Sequence, residues 1–365
     1  MTRMAIAHDW LLIPRGAERV LTEFCLAVQD LSIYTLFLRA PFISPPVSRH
    51  SLFVSPFNHL PWVDRYYRYL LPWFGWGIEQ LYVDQADVLL SISHSVAKGI
   101  PHHPDIPHVC YCLTPMRYLW EPRLYGAELK ASWRGTLLKA LSSRLKQWDL
   151  KSTDSVDFFV AVSETVAKRI RRVYGRDAEV LYPCVDQEFF SPSSLPREEF
   201  YLIVSALVPQ KRIDLAIEAF KRNGKTLLVV GTGPLYRRLS RMAGPNTRFL
   251  GWLEDGRVRE LYRRAKGLIF PGTEDFGLVP VEAQACGCPV LAFGEGGTTE
   301  TVIDGKTGLF FRQPNPDALL AALASFEKVR FDSKEALDNA RRFSRPRFRD
   351  RWRAVFKKLG LPIRI

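Results

Sequence analysis

Several absences narrow this chain before any motif is considered. No apolar run approaches the roughly 18 to 20 residues that a membrane-spanning helix needs. There is no C-x-x-C pair and no cysteine–histidine spacing of a zinc site. The six cysteines fall at 25, 110, 112, 184, 286 and 288 and read as reduced core thiols. His50, His59, His102, His103 and His108 have no metal spacing either and read as loop or surface residues. No G-x-G-x-x-G follows the first strand of either half, which excludes the usual hydride-transfer fingerprint; Gly231-Thr232-Gly233 lacks the third glycine and reads as a turn. The start, Met1-Thr2-Arg3, passes straight into a strand-like run with no secretory pattern, so a cytoplasmic location is expected.

What is present points to two domains. A chain of 365 residues is too long for one typical core, and 47% hydrophobic with 24% charged residues is a globular balance. The net charge of +13 favours anionic partners such as nucleotides, lipid headgroups or nucleic acid. Nucleic acid is set aside, because no recognised reading module appears.

Short apolar runs alternate with helical patterns. Met4–His8, a loop, and a helix from Gly16 make the opening of a Rossmann-like unit, whose loop and helix N-terminus face an anion. Val88–Ile92, His108–Cys112, Phe158–Val162 and Val180–Tyr182 read as further parallel strands, with Ser163 capping a helix that ends near Gly175. Pro183–Pro196, with three prolines and three serines, reads as a linker. A second series follows: Tyr201–Ser205, a helix from Lys211, Thr226–Val230, Asn246–Leu250, Gly267–Phe270 and Pro289–Ala292. Phe343–Lys358 is helical and rich in arginine. The expected architecture is α/β, with two doubly wound Rossmann-like domains facing across a cleft. Their bounds are 1–186 and 197–342, with 343–365 as a closing helix.

One segment carries the chemistry. After the strand ending near Pro271, Glu274 sits in a loop, Gly277 opens a helix, and Glu282 lies a turn further in. The free amides from Phe276 through Gly277 and Leu278 to Val279 can face a phosphate. Glu282 is placed to accept hydrogen bonds from a diol such as a ribose. A bare E-x7-E amounts to two surface glutamates, but the flanking Phe276-Gly277, Pro280 and Gly296-Gly297 make a fuller pattern.

Residues 274–285, Glu-Asp-Phe-Gly-Leu-Val-Pro-Val-Glu-Ala-Gln-Ala, resemble the retaining glycosyltransferases of the GT-B fold, family 4 (group 1), and more narrowly the WbaZ-like mannosyltransferase group. The likeness extends to His8-Asp9-Trp10-Leu11, Arg15–Leu21, Ser93–Gly99, Thr114–Tyr118, Tyr174-Gly175-Arg176 and Val208-Pro209. It implies that Lys211 and Arg212 bind a donor diphosphate, although two solvated surface cations would look the same. It places Gly16 and Ala17 where backbone nears the phosphates, Gly251, Trp252 and Leu253 near the base, Glu274 at the transferred sugar with Lys211 at the reaction centre, and Glu282 on the ribose. Trp252 fits an interdomain packing role equally well. The resemblance also implies a C-terminal helix crossing back to the first domain, no cofactor beyond the nucleotide diphosphate sugar, and GDP-mannose as donor. No D-x-D sequence occurs, which suits a reaction without metal.

Three positions depart from the group's pattern. Leu113 stands where a histidine is usual, Ala206 where an arginine grips the diphosphate, and Ala17 where a second glycine is usual. One lost charge-assisted phosphate contact costs about 1.5–3 kcal/mol, so a weak or inactive relative is the alternative reading. Finally, Pro61–Tyr82 interleaves aromatics with arginines, and Arg123–Lys151 holds seven basic residues against two acidic ones. Both suit docking on the anionic inner face of a membrane, with a saccharide or lipid-linked saccharide as acceptor; an aromatic core helix and an ordinary basic helix are the plainer alternative.

Overall fold

The computed structural model describes residues 3–12, 16–40, 43–122, 133–194, 196–361 and 363, with the backbone alone for 133–139. The chain forms two compact units, one of Met1–Tyr182 with Phe348–Ile365, the other of Pro183–Arg347.

The first unit is built on seven parallel strands: β1 (Met4–His8), β2 (Leu31–Thr35), β3 (Ser51–Val54), β4 (Val88–Ser93), β5 (His108–Cys112), β6 (Phe158–Ala161) and β7 (Ala178–Val180). Their order across the sheet is β3-β2-β1-β4-β5-β6-β7. Strands β1, β4 and β5 are buried along their whole length, as near-continuous apolar runs in a covered parallel sheet should be. The second unit carries β8 (Phe200–Val204), β9 (Thr226–Val230), β10 (Thr247–Gly251), β11 (Gly267–Phe270), β12 (Val290–Phe293) and β13 (Gly308–Phe311), in the order β10-β9-β8-β11-β12-β13. Its core joins Tyr201, Ile203, Leu227, Val229, Ile269 and Leu291 of the sheet to Ile213, Ile217 and Phe220 of the helix Ile213–Asn223. The α/β architecture of two Rossmann-like domains is as expected. Each sheet reverses its order once, beside β1 and β4 in the first unit and beside β8 and β11 in the second.

Local signals set several ends. Ser163 Oγ accepts the Val166 amide at 3.1 Å, and Gly175, at φ +65°, stops the helix Glu164–Tyr174. A cap of this kind contributes about 1 kcal/mol. The strands β2, β3 and β13 were not among the expected elements. The segment expected as Val180–Tyr182 pairs as Ala178–Val180 instead. The helix expected from Lys211 starts at Ile213; Lys211 closes a 3-10 turn from Pro209, and Arg212 between them adopts φ +48°.

The stretch Pro183–Pro196 has no regular element, yet it packs on the second unit. The Val185 amide bonds the Phe343 carbonyl at 2.9 Å, Arg263 Nε donates to the Ser191 carbonyl at 2.6 Å, and Phe190 is buried. The chain therefore changes unit at Tyr182/Pro183. It returns within the helix Arg345–Lys358. Phe343 stays behind, its ring 5.3 Å from Phe276. Trp352 is fully buried in the first unit, 5.2 Å from both Phe24 and Tyr111.

Candidate active site

In a doubly wound sheet the loops at the carboxyl ends of the strands diverge where the strand order reverses, and a ligand site opens there. In the second unit this point lies between the loop after β8 and the loop after β11. These loops hold Lys211 and Glu274, whose ammonium and carboxylate are in direct contact. Each side chain is about a fifth exposed, 21% for Lys211 and 19% for Glu274. The loops approach closely because residue 272 is glycine: a Cβ there would fall 2.7 Å from the Gln210 carbonyl oxygen and the Lys211 Cα. The Glu274 loop is pinned from its other side by the Gly297 amide, which donates to the Glu274 carbonyl at 2.8 Å.

Three residues on, Gly277 adopts φ +93°, a conformation that disfavours any side chain, and opens the helix Leu278–Ala285. Phe276 is buried, while Gly277, Leu278 and Val279, which open this helix, are partly exposed. Glu282 is 3% exposed, and its Oε2 accepts the Tyr262 hydroxyl at 3.1 Å. It is thus a buried, oriented carboxylate. Arg212 is turned away from this group by its left-handed backbone: its guanidinium lies 3.5 Å from Asp214 and 3.4 Å from the Pro314 carbonyl. Ala206 follows β8, its carbonyl accepting Ser205 Oγ at 3.2 Å, and brings no charge to the loop. Gly251 ends β10 at φ +69° and accepts the Gly231 amide at 2.7 Å; Trp252 is 69% exposed and Leu253 is partly buried. Among the described residues, no group of three or more His, Cys, Asp and Glu side chains could hold a metal ion.

In the first unit, Gly16 and Ala17 begin the helix Gly16–Ala27, and both are partly exposed. The order of this sheet reverses beside β1 and β4, and there stands a pair the sequence did not single out as a unit. Asp9, fully buried just after β1, accepts the His94 and Ser95 amides on Oδ2 at 2.6 and 2.9 Å, and the Val96 and Ala97 amides on Oδ1 at 2.6 and 2.8 Å. His94 Nδ1 lies 2.8 Å from the same Oδ2, and the imidazole is 27% exposed. Burial alone would push the Asp9 carboxyl up, but His94 and the amides hold it well below the usual carboxylate range. The His94 ring meets Trp10 edge-on at 4.5 Å. Leu113 is on the adjoining loop, its amide bonded to the Ser93 carbonyl at 2.8 Å. His8 is buried, and burial lowers it to about 4, so it is neutral.

His108 is neither a loop nor a surface residue. It lies within β5 at 0% exposure, between Ser91 Oγ at 2.8 Å and the Ser155 carbonyl at 3.1 Å, and burial lowers it to about 3. Two polar partners, one for each ring nitrogen, make a neutral imidazole acceptable in the core.

Two parallel doubly wound units, with a cation, a carboxylate and a helix N-terminus at the second unit's order reversal, define the GT-B class of glycosyltransferase fold. Sequence models agree: "Glycosyltransferase Family 4" matches residues 14–189 and "Glycosyl transferases group 1" matches residues 185–343. Together the two glycosyltransferase models account for residues 14–343. It is 31% identical over 277 residues to a D-inositol 3-phosphate glycosyltransferase of Nocardiopsis dassonvillei, covering 62% of this chain and 63% of that one. Against a GDP-mannose-dependent phosphatidylinositol monomannoside mannosyltransferase of Mycolicibacterium smegmatis it is 30% identical over 201 residues, 47% of this chain and 53% of the other. The chain spans between half and two thirds of the length of these curated relatives. The crystal structure of Anabaena HepE with UDP has the same fold, with a TM-score of 0.72 at 15% identity over 98% of this chain and 100% of that one.

Proposed function

We propose that this protein transfers a hexose, with mannose as the favoured sugar, from a nucleotide diphosphate sugar to a saccharide or lipid-linked saccharide. The observation that carries the proposal is the Lys211–Glu274 contact at the order reversal of the second sheet, beside the amides that open the helix Leu278–Ala285. A cation and a helix N-terminus together attract a diphosphate. Glu274 then lies near the leaving group, where a carboxylate stabilises positive charge developing on the sugar. Glu282, buried and aligned by Tyr262, is the acceptor carboxylate that suits a ribose diol on this reading. On this reading the diphosphate draws Lys211 away from Glu274, charge stabilisation comes from residues rather than a metal, and the sugar keeps its anomeric configuration. GDP-mannose as donor is supported by the Mycolicibacterium relative's stated donor.

The acceptor side of the proposal rests on the first unit's surface. Trp62, Trp73, Trp76 and Tyr82 are 73, 51, 50 and 52% exposed, rings suited to headgroup depth on an anionic cytoplasmic leaflet. No helix among the described residues is long and apolar enough to cross a membrane. Part of the basic segment Arg123–Lys151, residues 123–132, lies outside the described residues.

A second reading, nucleotide binding without transfer, is favoured by Ala206 and Leu113, neither of which brings a polar side chain. Calorimetric titration with GDP, UDP and their sugar conjugates, without metal, tests both. The first reading requires binding of one conjugate and turnover with retention of anomeric configuration; binding without turnover selects the second. Absence of binding by folded protein rejects both.

A further inference from the structure

We infer that Arg212 is a positioning residue: its left-handed backbone, rather than its charge, holds the Lys211 ammonium on the Glu274 carboxylate and so sets how tightly the second unit binds a nucleoside diphosphate. This inference rests on the glycosyl-transfer reading and deepens its donor site.

Among the described residues of the second unit, every positive φ but one belongs to a glycine; the exception is Arg212, at φ +48° and ψ +38°. A left-handed arginine is uncommon and costs conformational energy, so the surrounding structure has to hold it there. It does so from both sides. Toward the N-terminus, Pro209 opens a single 3-10 turn, in which the Lys211 amide bonds the Val208 carbonyl at 3.1 Å and the Arg212 amide bonds the Pro209 carbonyl at 3.2 Å. That turn lies against the loop after β11, where glycine at 272 leaves room for the Gln210 carbonyl and the Lys211 Cα. Toward the C-terminus, Ile213, Leu215, Ala216 and Ile217 are buried in the second unit's core, which fixes the start and rotation of the helix Ile213–Asn223.

Residue 212 alone joins the two, and its positive φ reverses the turning sense of the chain between them. In the right-handed region, near φ of about −63°, the turn would run on into the helix and carry Lys211 round the helix axis, away from the loop of Glu274. The side chain of Arg212 is engaged elsewhere. Its Nε lies 3.5 Å from Asp214, in the first turn of the helix, and Nη2 donates to the Pro314 carbonyl at 3.4 Å. Asp214 thus matches the charge of Arg212, while Lys211 meets Glu274. The cation that a diphosphate finds at this pair is Lys211, and residue 212 supplies the direction in which Lys211 points.

A backbone role and a charge role give different orders of affinity. Glycine accepts positive φ freely, alanine about as arginine does, and β-branched valine resists it; all three lack the charge. GDP and UDP are titrated against the wild type and the three variants, with thermal unfolding recorded for each. Arg212→Gly and Arg212→Ala are expected to bind within about twofold of wild type, and Arg212→Val about 3- to 10-fold more weakly. In a Lys211→Met background the valine change should alter affinity by less than about twofold, because its effect runs through Lys211. A comparable loss in all three variants, as removal of a phosphate-binding charge would give, overturns the inference, and so does wild-type affinity in Arg212→Val. Glycine imposes no strain, so the outcome does not hang on the folding of the valine variant: a loss in Arg212→Gly as large as in Lys211→Met suffices to overturn it.

A second arm needs no nucleotide. The side-chain carbon and nitrogen resonances of Lys211 are compared in the wild type, Arg212→Gly, Arg212→Val and Glu274→Gln. Lys211 should keep its wild-type signals with glycine and move with valine toward their position in Glu274→Gln. Equal signals with glycine and valine overturn the inference. If neither GDP nor UDP binds the folded wild-type protein, the transfer reading fails, and this second arm still decides the role of Arg212.

Discussion

Replacing Glu274 with glutamine separates two effects that the wild-type site couples. The carboxylate neutralises Lys211 when no donor is present, and it repels a diphosphate that comes to the same ammonium. At about 7 Å and an effective dielectric constant of about 20, one pair of like charges repels by about 2 kcal/mol. Both side chains are about a fifth exposed, so solvent screening brings this to about 1 kcal/mol. Glu274→Gln should therefore bind a nucleoside diphosphate about fivefold more tightly than wild type, while its transfer rate falls. Lys211→Met should weaken the same ligand by about 10- to 150-fold, the loss of one charge-assisted contact. The double variant should be less impaired than the product of the single effects predicts, because the two side chains touch. Calorimetry with the nucleoside diphosphate, at low and high salt, reads all three, and added salt should shrink each difference. Unchanged affinity in Lys211→Met would refute the reasoning, as would weaker binding by Glu274→Gln.

Further expectations follow from the packing and the buried histidines. Trp352→Ala should cost about 3–5 kcal/mol in denaturant unfolding. Trp352→Phe should cost far less, since the buried indole N–H has no hydrogen-bond partner among the described residues and its loss forfeits none of these. His8 and His108 are held at about 4 and about 3, below the ordinary value of 6.5, so the unfolded chain binds more protons over that interval. Stability should be full above pH 6.5 and fall steadily as pH drops toward 4, by on the order of 3 kcal/mol for each histidine; a His108→Gln variant unfolded across the same range should show a flatter slope. Vesicles rich in anionic lipid should sediment the protein at low salt, and changing Trp62, Trp73 and Trp76 together to Ala should reduce this at least severalfold; equal recovery of both proteins would dismiss the membrane surface.

The parts of the fold legible in the sequence were those governed by local chemistry. Strands buried on both faces announce themselves as apolar runs, so β1, β5, β9 and β11 stand at the expected residues. Strand β3 does not, because an edge strand with alternating exposure, Ser51-Leu52-Phe53-Val54, carries only half a signal. Ser163 and Gly175 mark a helix because capping is decided within three or four residues. Lys211 and Glu274 were each singled out by residue type and by a family pattern confined to loops, but their direct contact was not. The orientation of Arg212 was not, since it depends on a positive φ that no neighbouring glycine signals. Asp9 and His94 are 85 positions apart, and only the placement of β4 beside β1 brings them together. Pairing of that kind is a property of sheet order, which propensity and spacing do not encode.

The return of the chain at Phe348 has a consequence for biosynthesis. The second unit is one uninterrupted stretch, whereas the first is completed only when the helix carrying Trp352 arrives. On the ribosome, then, the stretch synthesised later can close before the one begun first. Until that happens the niche lined by Phe24 and Tyr111 stays open, an apolar surface that a nascent chain has to shield. A nonsense codon after residue 347 would leave the second unit whole and deprive the first of its last wedge, so the damage would appear in the half of the molecule farthest in sequence from the lesion.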